Sequence, residues 1–262
     1  AVALGGGASS FGGAWILGQV GTQKIETAGV LGVTAGSAPD FGQAMFQCGS
    51  GGACALIGAF QEGSDSATVL QDISARRILA QGGSGGAPSA YNEAAIFSRG
   101  TQKVTATGTT VNGGILIQGG DGTGNYASIA MDRGTDPSDQ PYTQTIDFGA
   151  GNLQVIGGTS GGRSHGEIFS SGNQSITGTG NLIISGGVLP TNGSPAKFYD
   201  PLNPNADAGG FVFDAVVYSY GIIVGNGNGN SAGMQKITAN SITITALPSQ
   251  SSTGIFSPAG TQ

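Results

Sequence analysis

The densest group of carboxylates in this chain is Asp132, Asp136 and Asp139, in MDRGTDPSDQP. Clustered carboxylates can hold Ca²⁺ through oxygen ligands, or supply the acid and base that cleave a glycosidic bond. The segment is rich in turn formers, and Asp136-Pro137 is turn chemistry, so a solvated loop is the first expectation. A Ca²⁺ site that stiffens the loop comes second, and catalysis last. His165, in GGRSHGE, is the only histidine. One imidazole cannot build a histidine-rich metal site, and no spacing marks a Ser-His-Asp arrangement; an exposed turn residue is expected. The two cysteines, Cys48 and Cys54 in QCGSGGACA, flank a glycine-rich spacer that can fold back into a small disulfide loop. Buried free thiols are the alternative. The spacing is not CxxC, which argues against zinc or redox catalysis.

Other glycine-rich runs offer no further chemistry. Asp121 sits in GGDGTGN, but the nine-residue tandem that makes such a run a Ca²⁺ repeat is missing. Gly5-Gly6-Gly7 and the GNGNGN run at 225–230 lack the following Lys-Ser/Thr of a phosphate loop. The chain is therefore expected not to be an enzyme, and to carry no cofactor beyond a structural Ca²⁺.

Composition narrows the class. Charged residues make up only 9% of the chain, glycine numbers 51, and the apolar fraction is 38%. Soluble monomers carry about 25% charge, while disorder needs high charge and low hydrophobicity. Tight turns in an all-β chain fit both numbers. Nine scattered Lys and Arg against fifteen Asp and Glu leave no basic patch for nucleic acid. No apolar run reaches the roughly 18–20 residues of a membrane helix. The chain opens at Ala1 without a basic, apolar leader, which reads as a secreted chain whose signal peptide has been removed.

The elements emerge from one recurring phrase. It occurs at 21–36, 100–120, 142–158, 172–187 and 234–246: Gln, one residue, Ile or Val, a short polar turn, alternating apolar residues, and often Gly-Gly. A second strand follows in YASIAM and GEIFSS. The alternation has period two and the residues suit strands. The glutamines fall irregularly, at 102, 144, 174, 235 and 262, as they would if loops were inserted at the corners of stacked repeats. The expected fold is an all-β, single-domain parallel β-helix of about six or seven coils. Glutamines at one position of each coil could form an amide ladder up the stack. Two loop inserts are expected, at 38–66 with the cysteine pair and at 190–220.

The phrase resembles the repeats of large secreted bacterial surface proteins of the filamentous-haemagglutinin type, and is similar to glycine-rich β-helical repeats of the bacterial cell surface. The resemblance covers about 21–36 and 95–262, with 1–16 as a fragment. It implies a β-solenoid at the cell surface and a role in adhesion.

Two features point to self-assembly. Residues 254–262, GIFSPAGTQ, repeat the phrases AIFSRGTQ and EIFSSGNQ, while residues 1–16 align without a gap to 114–129. One copy's tail thus calls for another copy's head. Ala1, Val2 and Leu4 would meet Ile255, Phe256 and Gln262 in a head-to-tail homopolymer, giving an extracellular filament, sheath or surface layer. The insert at 190–220 carries Phe198, Tyr199, Phe211, Phe213, Tyr218 and Tyr220. These aromatics suit a lateral contact or a carbohydrate, or pack on their own coil. The alternative functions are an adhesin that binds carbohydrate and a polysaccharide lyase or hydrolase.

Overall fold

The computed structural model describes residues 2–5, 14–18, 21–36, 54–59, 69–84, 92–109, 113–121, 125–131, 142–158, 164–187, 221–224, 234–245 and 254–256. Every regular element among them is a β-strand, and every strand pair is parallel. Among the described residues no helix is long and apolar enough to cross a membrane.

The chain passes repeatedly through the same sequence of surfaces. The first surface, wing one, takes the starts of β3 (Thr22–Thr34) and β5 (Leu70–Gln81), then β7 (Thr101–Ala106), β10 (Thr143–Asp147), β13 (Asn173–Thr177) and β16 (Gln235–Thr238). Wing two takes β1 (Val2–Gly5), the ends of β3 and β5, β8 (Gly114–Gln118), β11 (Asn152–Ile156), β14 (Asn181–Ser185) and β17 (Ser241–Thr245). The wings form one 11-stranded sheet because β3 and β5 run through the bend. In β5, residues 70–75 pair with β7 and residues 77–81 with β8. A second sheet of seven strands holds β2 (Ala14–Gly18), β4 (Ala55–Ala59), β6 (Asn92–Ser98), β9 (Asn125–Met131), β12 (Gly166–Ser170), β15 (Gly221–Val224) and β18 (Gly254–Phe256).

Register explains the alternation. In wing one, Ile73, Val104, Ile146, Ile176 and Ile237 stand in one column. In wing two, Ile78, Ile115, Leu153 and Leu182 do the same. Ile57, Ile96, Ile129 and Ile168 form the matching column of the second sheet. All three surfaces turn these side chains into one buried cluster. Full burial of each is worth about 1.5–3 kcal/mol, and truncating one to alanine costs about 2–5 kcal/mol.

Corner chemistry accounts for the rest of the phrase. The serine of Ile-Phe-Ser accepts the amide of the glycine two residues on: Ser98 Oγ from Gly100 at 3.1 Å, and Ser170 Oγ from Gly172 at 3.2 Å. This side-chain turn leads the second sheet into wing one. The Gly-Gly after wing two marks a close approach of backbones. A β-carbon on Gly120 would lie 1.9 Å from the Gly83 carbonyl oxygen.

The gap-free alignment of 1–16 with 114–129 is also a spatial one. Val2 lies in the column of Ile115, Leu4 in that of Ile117, and Ile16 in that of Ile129. The span 38–66 contains a strand of the sheet, β4, which pairs on both sides; its other described residue is the buried Cys54. Cys48 lies outside the described residues, as does all of 190–220 with its six aromatics.

Gly114 has φ +89°, and a β-carbon there would sit 2.2 Å from the Asn152 oxygen, whereas one on Gly32 would meet nothing within 4 Å. Gly114→Ala should therefore destabilise the fold by about 2 kcal/mol or more, while Gly32→Ala leaves it unchanged or raises stability by about 0.5 kcal/mol. Urea midpoints of the two variants check this; equal shifts would contradict it.

Candidate assembly edge and amide ladder

Six glutamines, at the second position of each wing-one strand from β3 to β13 and at the first of β16, stack in one column: Gln23, Gln71, Gln102, Gln144, Gln174 and Gln235. They are joined side chain to side chain. Gln71 Nε2 donates to Gln23 Oε1, Gln102 to Gln71, Gln144 to Gln102 and Gln174 to Gln144, each at 2.8 Å. Gln235 Nε2 donates to Gln174 Oε1 at 2.7 Å. The second amide hydrogen serves backbone carbonyls of the second sheet, as Gln102 does with Ile96 and Ala130 at 3.2 and 3.1 Å. From Gln71 onward the column is buried. These glutamines are therefore not fitted to a solvated corner. A primary amide carries donors and an acceptor, so it can satisfy a copy of itself one strand away.

The ladder has a direction. Every Nε2 points toward the N-terminal side of the stack, so its two ends differ. Gln23 Nε2 reaches the carbonyls of Ile16 and Gly58 at 3.2 and 3.0 Å. At the other end Gln235 is 2% exposed, yet its Oε1 has no hydrogen-bond partner. An abandoned buried acceptor costs about 1–3 kcal/mol.

The same end uncovers core positions. Ile242 and Ile244 of β17 are 48% and 47% exposed, although Leu182 and Ile184, the residues they pair with, are fully buried. Register traces the Ile242 column down to Val2 and the Ile244 column to Leu4. Ile255 of β18 traces likewise to Ile16 of β2. Val2, Leu4, Ile16 and Ile255 are partly buried against the core. Phe256 stands in the Leu17 column. Trp15 and Leu17 on β2 are exposed. Ala1 and Gln262 lie outside the described residues.

His165 departs from expectation. It is buried rather than an exposed turn residue, because its ring stacks on Tyr126 with centroids 4.9 Å apart. Asp121 is exposed and bridges to Ser84 in the backbone. Among the described residues no group of three or more His, Cys, Asp or Glu could hold a metal; Asp132, Asp136 and Asp139 lie outside them. Sequence reasoning passed over Gln71. Its signal was present, since Gln71-Asp72-Ile73 is the Gln-x-Ile of the phrase and Gly82-Gly83 closes it, but no polar turn interrupts β5.

No protein-family model, no curated protein and no solved structure matches this chain.

Breaking the ladder at its middle should cost more than at its end. Gln144→Leu strands the Gln102 acceptor and a Gln174 donor, for about 2–4 kcal/mol. Gln235→Leu removes one bond and moves the stranded buried acceptor from Gln235 to Gln174, for a net loss of about 1 kcal/mol. Denaturant unfolding of the two variants measures the difference, and equal losses would refute the ladder as a stabilising chain.

Proposed function

We propose that the chain is a parallel β-solenoid of seven coils that serves as the structural subunit of an extracellular filament, sheath or surface layer. Copies join head to tail through their terminal coils. The observation that carries this reading is the match between the two edges. The uncovered Ile242 and Ile244 stand in the columns of Val2 and Leu4, and Ile255 in that of Ile16. An incoming β1 would cover β17, and an incoming β2 would cover β18. Parallel pairing continues across such a joint with isoleucine against valine, leucine and isoleucine, as it does inside the chain. This is strand addition, and the repeated contact does not close on itself.

The buried acceptor of Gln235 marks where the amide ladder would be extended. In the sequence, Gln262 holds the ladder position of the phrase, in IFSPAGTQ against IFSRGTQ. Its amide is the donor that Gln235 calls for. Edge burial and strand hydrogen bonds at about 1 kcal/mol each must together exceed an association cost of roughly 4–15 kcal/mol. Secretion fits a Cys48–Cys54 disulfide, a pairing that also belongs to this proposal.

Complementary blocked ends give the test. Ile242→Asp disables one edge and Val2→Asp the other. Wild-type protein should form filaments under the electron microscope. Each variant alone should stay monomeric in light scattering, and an equimolar mixture should stop at dimers. Wild-type protein that remains monomeric as concentration rises, or an Ile242→Asp variant that still polymerises, rules the joint out.

A further inference from the structure

The second sheet is covered on both faces in its middle strands. All five positions of β4 and of β12 are buried, as are six of seven in β6 and in β9. The inward face is the isoleucine column. Toward the ends of the strands the outward face is apolar, with Leu56, Ala95 and Phe97 in one small cluster. Toward their starts it turns polar, and five side chains converge: Glu93 on β6, Tyr126 and Ser128 on β9, and His165 and Glu167 at β12.

Register assembles them. Glu93 pairs with Tyr126, and Ser128 with Glu167. His165 falls beside Tyr126, because its carbonyl accepts the Ala127 amide at 2.9 Å. The Tyr126 hydroxyl donates to Glu93 Oε2 at 2.8 Å. The His165 ring lies on the Tyr126 ring, 8° from parallel. His165 Nε2 stands 3.6 Å from Glu167 Oε2, each side chain 5% exposed. On the far side of Glu93 the register places Cys54, next to Ala55. Among the described residues no Lys or Arg pairs with either carboxylate. Two acids thus share a largely dry surface, and among the described residues the basic side chain nearest to either is His165, on the side of Glu167. Glu93 itself is half-buried, so water and protons can reach it.

We propose that Glu93, Tyr126, Ser128, His165 and Glu167 form a proton-binding site on the outer surface of the second sheet. A neutral Glu93 keeps that surface closed, and an ionised Glu93 loosens it. The proposal does not depend on assembly into filaments.

Burial pushes the Glu93 carboxyl up from its usual 4.5 to about 7, the Glu167 charge adds to the rise, and hydrogen bonds from Tyr126 and Ser128 oppose it. The folded state therefore holds this proton more tightly than the unfolded chain does. The stabilisation is complete below about pH 4.5 and is lost as pH rises through 7. The partial exposure of Glu93 tempers the effect, so the opening equilibrium should rise roughly ten- to a hundred-fold across that window.

Backbone hydrogen exchange of the full chain between pH 5 and 9, corrected for intrinsic rates, reads this strand by strand. Amides of β6 and β9 should lose protection in a step that starts near pH 4.5 and levels off above about pH 7, with wing-one amides unaffected. Glu93→Gln should abolish the step. Glu167→Gln removes a repelling charge and should move it to lower pH. Tyr126→Phe removes a bond that favours the ionised form and should move it to higher pH. If Glu93→Gln does not fold, the opposite shifts of the other two variants decide. A step that persists in Glu93→Gln, shifts of the same sign in both partners, loss of protection across the whole chain, or a step that disappears in His165→Gln while surviving in Glu93→Gln would each overturn the proposal.

Discussion

Parallel, in-register pairing puts each residue directly against its counterpart one strand away, at about 4.8 Å. Every column must therefore accept repetition. Isoleucine does so by packing on isoleucine, as in the Ile146–Ile176 pair. Glutamine does so because an amide both donates and accepts, which is why the buried polar column is Gln and not Asp, Glu or Lys. Glycine does so where backbones close to a distance no β-carbon could share, as at Gly83 and Gly120. Like charges cannot repeat in this way, since directly opposed they repel. The exposed wing-one column runs Lys24, Asp72, Lys103, Thr145, Ser175, Lys236: neighbours alternate in sign or are neutral. A charged fraction of 9% follows from the pairing itself and does not need burial between subunits to explain it. The case for assembly accordingly rests on the edges rather than on composition.

The same constraint decides what could be read from the sequence. Inward columns alternate with period two, so β7, β8, β10, β11, β13, β14, β16 and β17 are legible, and so is the match of Val2 to Ile115. Long spacings do not obscure them: Gln174 and Gln235 are 61 residues apart, yet the two pair in register. The ladder was legible in type but not in extent, because β5 bends from one wing to the other without the polar turn that marks the phrase elsewhere. The span 38–66 looked like a loop because Ala-Leu-Ile-Gly-Ala is short and stands amid glycines; only pairing with β2 and β6 makes it a strand. The outward face of the second sheet was not legible at all. The glycine-rich context GGRSHGE marks His165 as an exposed turn residue. Its burial depends on what lies on that face, which no local pattern encodes.

A directional ladder also makes the two ends of the stack unequal. At the N-terminal side the last amide donor finds carbonyl oxygens of its own chain, at Ile16 and Gly58. At the C-terminal side the last acceptor finds nothing. The apolar exposure is divided as well. Ile242 and Ile244 uncover positions that are core everywhere else, whereas Trp15 and Leu17 sit on the outward face of β2, opposite to Ile16. One edge is short of a donor and of cover for its core, and the other presents outward apolar side chains with its polar groups satisfied. An end-to-end joint would bring together surfaces that differ in this way, so any polymer built from it has a polarity inherited from the orientation of a single amide column.

The cluster around Glu93 is the place where the repetition rule is most nearly broken. Its two carboxylates do not pair directly: Glu93 faces Tyr126, and Glu167 faces Ser128, one column over. The intervening hydroxyls and the imidazole keep the acids from direct opposition. A neutral column would have met the packing requirement more simply, as Ala95 and Leu56 do on the same face. Two acids on a dry surface disfavour each other's charge, and burial pushes Glu93 toward its neutral form; among the described residues it has a hydroxyl donor but no Lys or Arg beside it. Glu167 instead stands 3.6 Å from His165. The asymmetry of their partners thus assigns the titration to one residue of the pair, and makes the second sheet, rather than the glutamine wing, the part of this fold that responds to pH.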